Sequence, residues 1–244
     1  MKIHRFFLNN TLGEDIIIKD KALLHQWLNV LKFKKDDEFI LFNNKEVFDY
    51  VYSIKNITKN EADILFLKKN KNILQKKEKN NVSLYISIIK KDNLDLIFEK
   101  CTEIGALKFT PIISDRTEKK NINSFNKDRG EKIIKEATEQ SGWGNIPILN
   151  KVEHLKNAIN NILKENEADN IYILDIESEN IEYIKIKKNN TKNIHIFIGP
   201  EGGWTSRECE IFKKYNLKIV SFGKNTLRAE TAAIISTFYF SKDY

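Results

Sequence analysis

Near the C-terminal end, Arg228 and Glu230 stand two residues apart in "LRAET", where a loop gives way to a helix. A guanidinium fixed there can stabilise negative charge that develops on a substrate, and a carboxylate can accept a proton. The same two residues can also form a helix-start ion pair on the surface, which is common and contributes little. A second group lies upstream in "FIGPEGGWTSRE", residues 197–208. Here Gly199, Pro200, Glu201, Gly202 and Gly203 interrupt a strand-like run just before a helix start. Pro200 fixes the turn, while Gly202 and Gly203 permit positive φ and close approach of a ligand to backbone N–H groups. Thr205 followed by Glu208 has the spacing of a capping box, which orients the amides of the next helix. A tight strand-to-helix connection with a structural Glu201 is the plainer alternative.

Two common ligands of glycine loops do not fit. The chain has no GxxxxGK[ST], which rules out a P-loop. The first strand of the α/β half, in "VSLYISIIKKDN", lacks the glycines of a dinucleotide fingerprint. The segment "SFGKNTLRAETAA" (221–233) repeats the earlier plan, running from a strand end through Phe222 and Gly223 into a loop and a helix. Two such loops would share one crevice at the carboxyl edge of a sheet, where α/β folds bind ligands.

Those loops require a sheet to carry them. After residue 81 strands and helices alternate. "VSLYISII", "LKFTPII", "NIYILD", "NIHIFIG" and "KIVSFG" are apolar enough to be buried on both faces. Helices are expected at "DNLDLIFEKCTEIG", with Asp92 as N-cap and Gly105 as stop, and at "KDRGEKIIKEATEQ", "HLKNAINNILKE", "TSRECEIFKKY" and "AETAAIISTFYF". The alternation predicts an α/β domain with a mostly parallel sheet. The first seventy residues read differently, as short strands "EFILF", "VFDYVYSI" and "ADILFL" with one helix at "DKALLHQWLNVL". A small β-barrel is the economical reading. The polar stretch "KKNKNILQKKEKNN" separates the halves, giving residues 1–72, a linker over 73–80, and 81–244.

The 244 residues carry a net charge of +7, and +5 of it falls in residues 1–80. That concentration points to an anionic partner, nucleic acid first, although a solvated lysine surface is the alternative. Cys101 and Cys209 form no CxxC pair, and the four histidines have no metal-ligand spacing. The stretch "MKIHRFFLNN" carries charge from its second residue and has no apolar h-region, so it is not expected to be a signal peptide, and the longest apolar run, "AAIISTFYF", is too short to span a bilayer. A reduced, cytoplasmic protein without metal or membrane association is expected.

"IGPEGGWTSRE" with "FGKNTLRAETAA" resembles the paired C-terminal motifs of RsmE-type 16S ribosomal RNA (uridine-N3) methyltransferases of the SPOUT superfamily. "HRFF", "HQWLNVLKFKKDDEFILFN", "KKDNLDLIFEKCTEIG", "TPIISDRT" and "EATEQSGWGNIP" match further family segments in the expected order. The resemblance implies a PUA-like RNA-binding barrel, then a domain with a deep trefoil knot. It implies an S-adenosylmethionine site at Leu174, Gly199 to Gly203, Phe222, Gly223, Leu227 and Arg228. Catalysis would fall to Arg228 as electrostatic stabiliser, with Glu230 and Glu201 as base candidates. RNA contacts would involve Arg5, Lys32, Arg116 and Trp143. The partners implied are 16S ribosomal RNA or the small ribosomal subunit, and a second copy of the chain in a homodimer. Asn93, Trp143 and Asn225 stand where the family usually has Arg, and Lys32 where Arg is common. A SPOUT enzyme acting on transfer RNA and a non-catalytic RNA-binding protein are the alternatives.

Overall fold

The computed structural model describes residues 3–46, 48–72, 80–165, 170–175, 182–183 and 193–241. Most of the expected linker, 73–79, lies outside them. The chain divides into two compact units, residues 1–76 with 138–146, and residues 77–137 with 147–244.

The first unit is built on a five-stranded sheet. Its strands are β1 (Arg5–Phe7), β2 (Ile16–Ile18), β3 (Glu38–Phe42), β4 (Phe48–Ile57) and β5 (Ala62–Lys71), in the order β1-β3-β4-β5-β2. All pairings are antiparallel except β1 with β3. The β4–β5 ladder shifts register twice, between Val51 and Tyr52 and between Ile54 and Asn56, and such irregularities curl a sheet. Asp20 caps α1 (Lys21–His25) by accepting from the Ala22 and Leu23 N–H groups at 2.9 and 3.1 Å. The expected single helix changes character there, because Gln26–Val30 forms a π-helical turn. Trp27, wholly buried, sits 4.6 Å from Phe39 and 5.5 Å from Phe6, ring to ring. Aromatic packing of this kind gives a small sheet a large buried area per residue.

Residues 138–146 pack with this unit, although they are continuous in sequence with the second half. Glu139 accepts the Phe7 N–H at 2.9 Å, Asn72 donates to the Gly142 carbonyl at 3.2 Å, and the Ile146 N–H reaches Asn44 at 2.9 Å.

The second unit holds a parallel sheet of eight strands. In order they are β11 (Glu182–Tyr183), β13 (Lys218–Ser221), β10 (Ile171–Leu174), β12 (Asn193–Ile198), β6 (Asn81–Ser87), β7 (Lys108–Ile113) and β8 (Ile148–Leu149), with β9 (Glu153–His154) also on β7. Side chains alternate across it. Ile171 and Ile173 join a core with α5 (Leu155–Lys164) and α6 (Ser206–Lys214), while Tyr172 meets Phe240 of α7 (Ala229–Ser241) on the other face at 4.6 Å. Helix α2 (Lys91–Ile104) packs against α7. It ends where expected, at Gly105 with φ 117°, but it starts two residues early, with Lys90 at the N-cap and Asp92 inside the first turn. A short α3 (Lys119–Ser124) precedes α4 (Lys127–Ser141), and neither α3 nor the two-residue strands were foreseen. Among the described residues no helix is long and apolar enough to cross a membrane, and no group of His, Cys, Asp and Glu could hold a metal.

Candidate active site at the carboxyl edge of the parallel sheet

Strand β10 lies between β12 and β13, both parallel to it and both later in the chain. The order therefore reverses about β10, and ligands of open α/β sheets bind at such points outside the strand ends. A cavity of about 500 Å³ occupies this position. Its apolar wall is Leu174, Ile198, Val220, Phe222 and Leu227, and its charged groups are Lys90, Asp175, Glu201, Arg228 and Glu230.

The first loop is held from several sides. The Gly203 N–H donates to the Pro200 carbonyl at 2.9 Å and closes the turn. The buried Trp204 donates its indole N–H to the Leu174 carbonyl at 3.0 Å, tying the loop to the end of β10. A side chain at Gly199 would meet that indole at 3.1 Å. The capping box is present as expected: Thr205 Oγ1 accepts the Glu208 N–H at 3.3 Å, and the Glu208 carboxylate accepts the Thr205 N–H at 2.8 Å. Gly203 has φ 70°, whereas Gly202 is not in the left-handed region. Only one of the two glycines is thus required for its backbone angle, a correction to the expectation for Gly202. What Gly202 does supply is room, because a Cβ there would lie 3.3 Å from Cδ of Arg116.

The second loop is held more lightly. Ser221 donates to the Gly223 carbonyl at 2.7 Å and accepts the Gly223 N–H at 3.3 Å. Lys224, Asn225, Thr226 and Arg228 are exposed. The Arg228 carbonyl accepts the Ala232 N–H at 2.8 Å, so Arg228 is the last residue before α7 and Glu230 lies in its first turn.

The structure gathers Leu174, Gly199, Pro200, Glu201, Gly202, Gly203, Phe222, Leu227, Arg228 and Glu230 around one cavity. Gly223, with φ 151°, is not among the lining residues. Of the residues expected to touch RNA, Arg5, Lys32 and Trp143 belong to the first unit and Arg116 to the second. Lys32 is exposed, with φ 55°. Trp143 is half-buried, and its carbonyl accepts from Arg5 at 3.2 Å. Arg5 itself faces inward: its guanidinium pairs with Asp49 at 2.6 Å and covers the Phe42 ring at 4.6 Å, with the side chain 9% exposed. Burial and internal pairing remove it from the surface an RNA could reach. Arg116 is exposed, and its guanidinium donates to the Gly202 carbonyl.

Sequence reasoning left out Lys90, Asp175, Trp204 and Thr226, which also line the cavity, and treated Asn93 and Asn225 only as departures from the family pattern. Their shared signal is position, one to six residues beyond a strand end. Both cysteines are free. Burial pushes the Cys101 thiol up to about 12, and burial together with the carboxylates of Asp175 and Glu208 raises Cys209. Neither is a thiolate nucleophile near neutral pH.

A parallel sheet with two glycine loops around a cavity at its switch point defines a small-molecule-binding α/β domain, and comparison narrows the class. Residues 76–241 match the RNA methyltransferase domain family, and the chain belongs to it. Along its length the chain is 33% identical over 239 residues to the ribosomal RNA small subunit methyltransferase E of Rickettsia conorii, covering 96% of this chain and 93% of that one. It is 34% identical over 240 residues to ribosomal RNA small subunit methyltransferase E 2 of Borreliella burgdorferi, covering 95% and 93%. The fold agrees with the crystal structure of the methyltransferase E of Neisseria gonorrhoeae bound to S-adenosyl methionine, with TM-score 0.84, 24% identity, and coverage of 97% and 95%.

Proposed function

We propose that this chain methylates N3 of a uridine in 16S ribosomal RNA, using S-adenosylmethionine bound at the carboxyl edge of the parallel sheet. The observation that carries the reading is the meeting of both family motifs around one cavity. Its volume of about 500 Å³ falls within the range of small-molecule sites, roughly 300–1,000 Å³. The donor set fits the cofactor. Leu174, Ile198, Val220, Phe222 and Leu227 offer an apolar surface for the adenine, and backbone groups of the two loops can bond its polar edge. The carboxylates of Asp175, Glu201 and Glu230 suit a sulfonium, and the Lys90 ammonium suits an amino-acid carboxylate.

When bound, the cofactor supplies an electrophilic methyl group. The protein's own residues must then handle a uracil imide, whose N–H is weakly acidic. As the proton leaves, negative charge spreads onto the two neighbouring carbonyl oxygens. Arg228 is assigned to stabilise that charge, since a cation is worth most where charge develops. Glu230 and Glu201 both line the cavity and are the base candidates. Single-turnover rates across pH separate them. A Gln variant of the true base is slow at neutral pH and recovers as the imide ionises unaided, whereas a variant of a positioning carboxylate is slower by a constant factor.

The first unit is assigned a PUA-like, RNA-binding role, supported by its curled sheet and by the basic excess of residues 1–80, with Lys32 and the Trp143 ring as contacts. A deep trefoil knot in the second unit is in keeping with β10 lying between two later strands. A cytoplasmic homodimer is proposed on the exposed Leu96, Ile235 and Phe238 of α2 and α7. The experiment is methyl transfer from labelled cofactor to 16S RNA or small subunits from a strain lacking the gene, with the product mapped by mass spectrometry. One 3-methyluridine in 16S RNA is expected. Transfer to transfer RNA alone, or RNA binding without transfer, would overturn the reading.

A further inference from the structure

The turn after β7 belongs to neither glycine loop, yet it is bonded to the first one at several atoms. Glu208, in the first turn of α6, is 2% exposed, and its two carboxylate oxygens serve two different segments. Oε2 accepts the Thr205 N–H at 2.8 Å, and Oε1 accepts the Asp115 N–H at 2.9 Å. Thr205 Oγ1 donates to Asp115 Oδ2 at 2.8 Å. One residue on, the Arg116 guanidinium donates to the Gly202 carbonyl. That carbonyl belongs to the same peptide plane as the Gly203 N–H, which donates to Pro200 at 2.9 Å. The plane is therefore held at both ends, by a guanidinium on its oxygen and a carbonyl on its nitrogen.

The turn is itself anchored. The Ser114 N–H donates to Thr117 Oγ1 at 2.9 Å, and the Ser114 hydroxyl bonds the Ser87 hydroxyl at the end of β6, also at 2.9 Å. A buried carboxylate shared by two backbone segments fixes their spacing, and charge-assisted bonds of this kind are the stronger ones. The contact at Gly202 is close as well as polar, since a Cβ there would press on the Arg116 stem at 3.3 Å.

We propose that Ser114–Thr117 is a positioning clamp for the cofactor loop, with Arg116 orienting the Gly202–Gly203 peptide and Glu208 joining the turn to α6. Arg116 then serves the cofactor site and not the RNA. The inference rests on the reading that the cavity takes S-adenosylmethionine. A loop held in its bound shape binds without meeting the ordering cost at that moment.

The test uses the full chain and its Arg116→Ala variant, whose side chain is exposed, with thermal melting as the folding control. Calorimetry with S-adenosylmethionine should show affinity reduced about tenfold, the scale of one charge-assisted hydrogen bond. In steady state the KM for the cofactor should rise by a similar factor, with kcat at saturating cofactor within about twofold of wild type. RNA affinity and its salt slope should stay unchanged. Arg116→Lys should recover most of the cofactor affinity, because an ammonium can donate to the same carbonyl. Glu208→Gln keeps the volume but turns one acceptor into a donor facing a backbone N–H, and should weaken the cofactor in the same direction. Unchanged cofactor affinity in Arg116→Ala, or weaker RNA binding with a shallower salt slope, would overturn the clamp alone. A wild-type protein that bound no S-adenosylmethionine would overturn the clamp together with the reading beneath it.

Discussion

The two loops that wall the cavity leave β12 and β13, the strands on either side of β10, and both carry glycine, but they are held very differently. In the loop at 199–205 the turn closes on itself, Trp204 is bonded to Leu174, Arg116 to the Gly202 carbonyl, and Glu208 to Thr205. In the loop at 222–228, among the described residues, the Ser221 hydroxyl is the main anchor, and four of the seven residues are exposed. A loop fixed before any ligand arrives suits binding, because little order remains to be acquired. A lightly held loop that ends in Arg228 suits a task performed once both substrates are in place. The comparison therefore separates affinity from rate.

The largest effect should come from the light loop. Arg228→Ala should lower the single-turnover methylation rate by on the order of a hundredfold, or about 3 kcal/mol, the usual cost of removing a donor aimed at developing charge. Cofactor affinity should change much less. Single-turnover rates at saturating RNA, beside calorimetry on the same variant, check both halves of the statement. A near-wild-type rate would remove Arg228 from the chemistry.

Much of this arrangement can be read from the residues alone, for a physical reason. Strands buried on both faces must be continuous apolar runs, so β6, β7, β10, β12 and β13 stand out as "VSLYIS", "KFTPII", "IYIL", "NIHIFI" and "KIVS". The helix α5 keeps Leu155, Ala158, Ile159 and Ile162 on one buried stripe, which only helical spacing produces. Glycine and capping residues mark the loops for the same reason, since their chemistry is local. Tertiary pairings leave no such trace. Nothing in "SDRT" says that Asp115 meets Glu208, and nothing in "HRFF" says that Arg5 turns inward to Asp49. Short strands such as β1 and β2 hold too few residues to show a period. The positive φ at Gly203 rather than Gly202 depends on how the turn closes, which two adjacent glycines do not specify.

The fixed loop should respond next in size, and in affinity rather than rate. Gly203→Val places a β-branched residue at φ 70° with open space around its Cβ, so backbone strain is the whole of the damage. Strain of about 1–3 kcal/mol should weaken S-adenosylmethionine binding by about tenfold or more while the thermal melt stays cooperative. Trp204→Phe keeps most of the packing on Phe212, a ring contact at 5.3 Å, but loses the bond to the Leu174 carbonyl. One such bond contributes about 1 kcal/mol, so calorimetry should find a loss of about fivefold. If either variant slowed the rate at saturating cofactor more than it weakened binding, the separation of affinity from rate would fail.

The smallest effect sharpens the contrast most. Ser221→Ala deletes the hydroxyl that donates to the Gly223 carbonyl at 2.7 Å and accepts the Gly223 N–H at 3.3 Å. In a loop built like its neighbour, one missing bond among several would go almost unnoticed. Here the hydroxyl is the main anchor, so Gly223 and the exposed residues after it gain freedom that must be removed again at each turnover. Burial of the Ser221 side chain means that no water readily takes the place of the lost donor. The expected cost is about twofold to fourfold in kcat, less than 1 kcal/mol, with the KM for the cofactor nearly unchanged. A purely structural role would lower the melting temperature and leave kcat alone. A change in cofactor KM without a change in kcat would show that the second loop, like the first, is built for binding, and Arg228 would then be positioned by the substrate instead of by its own chain.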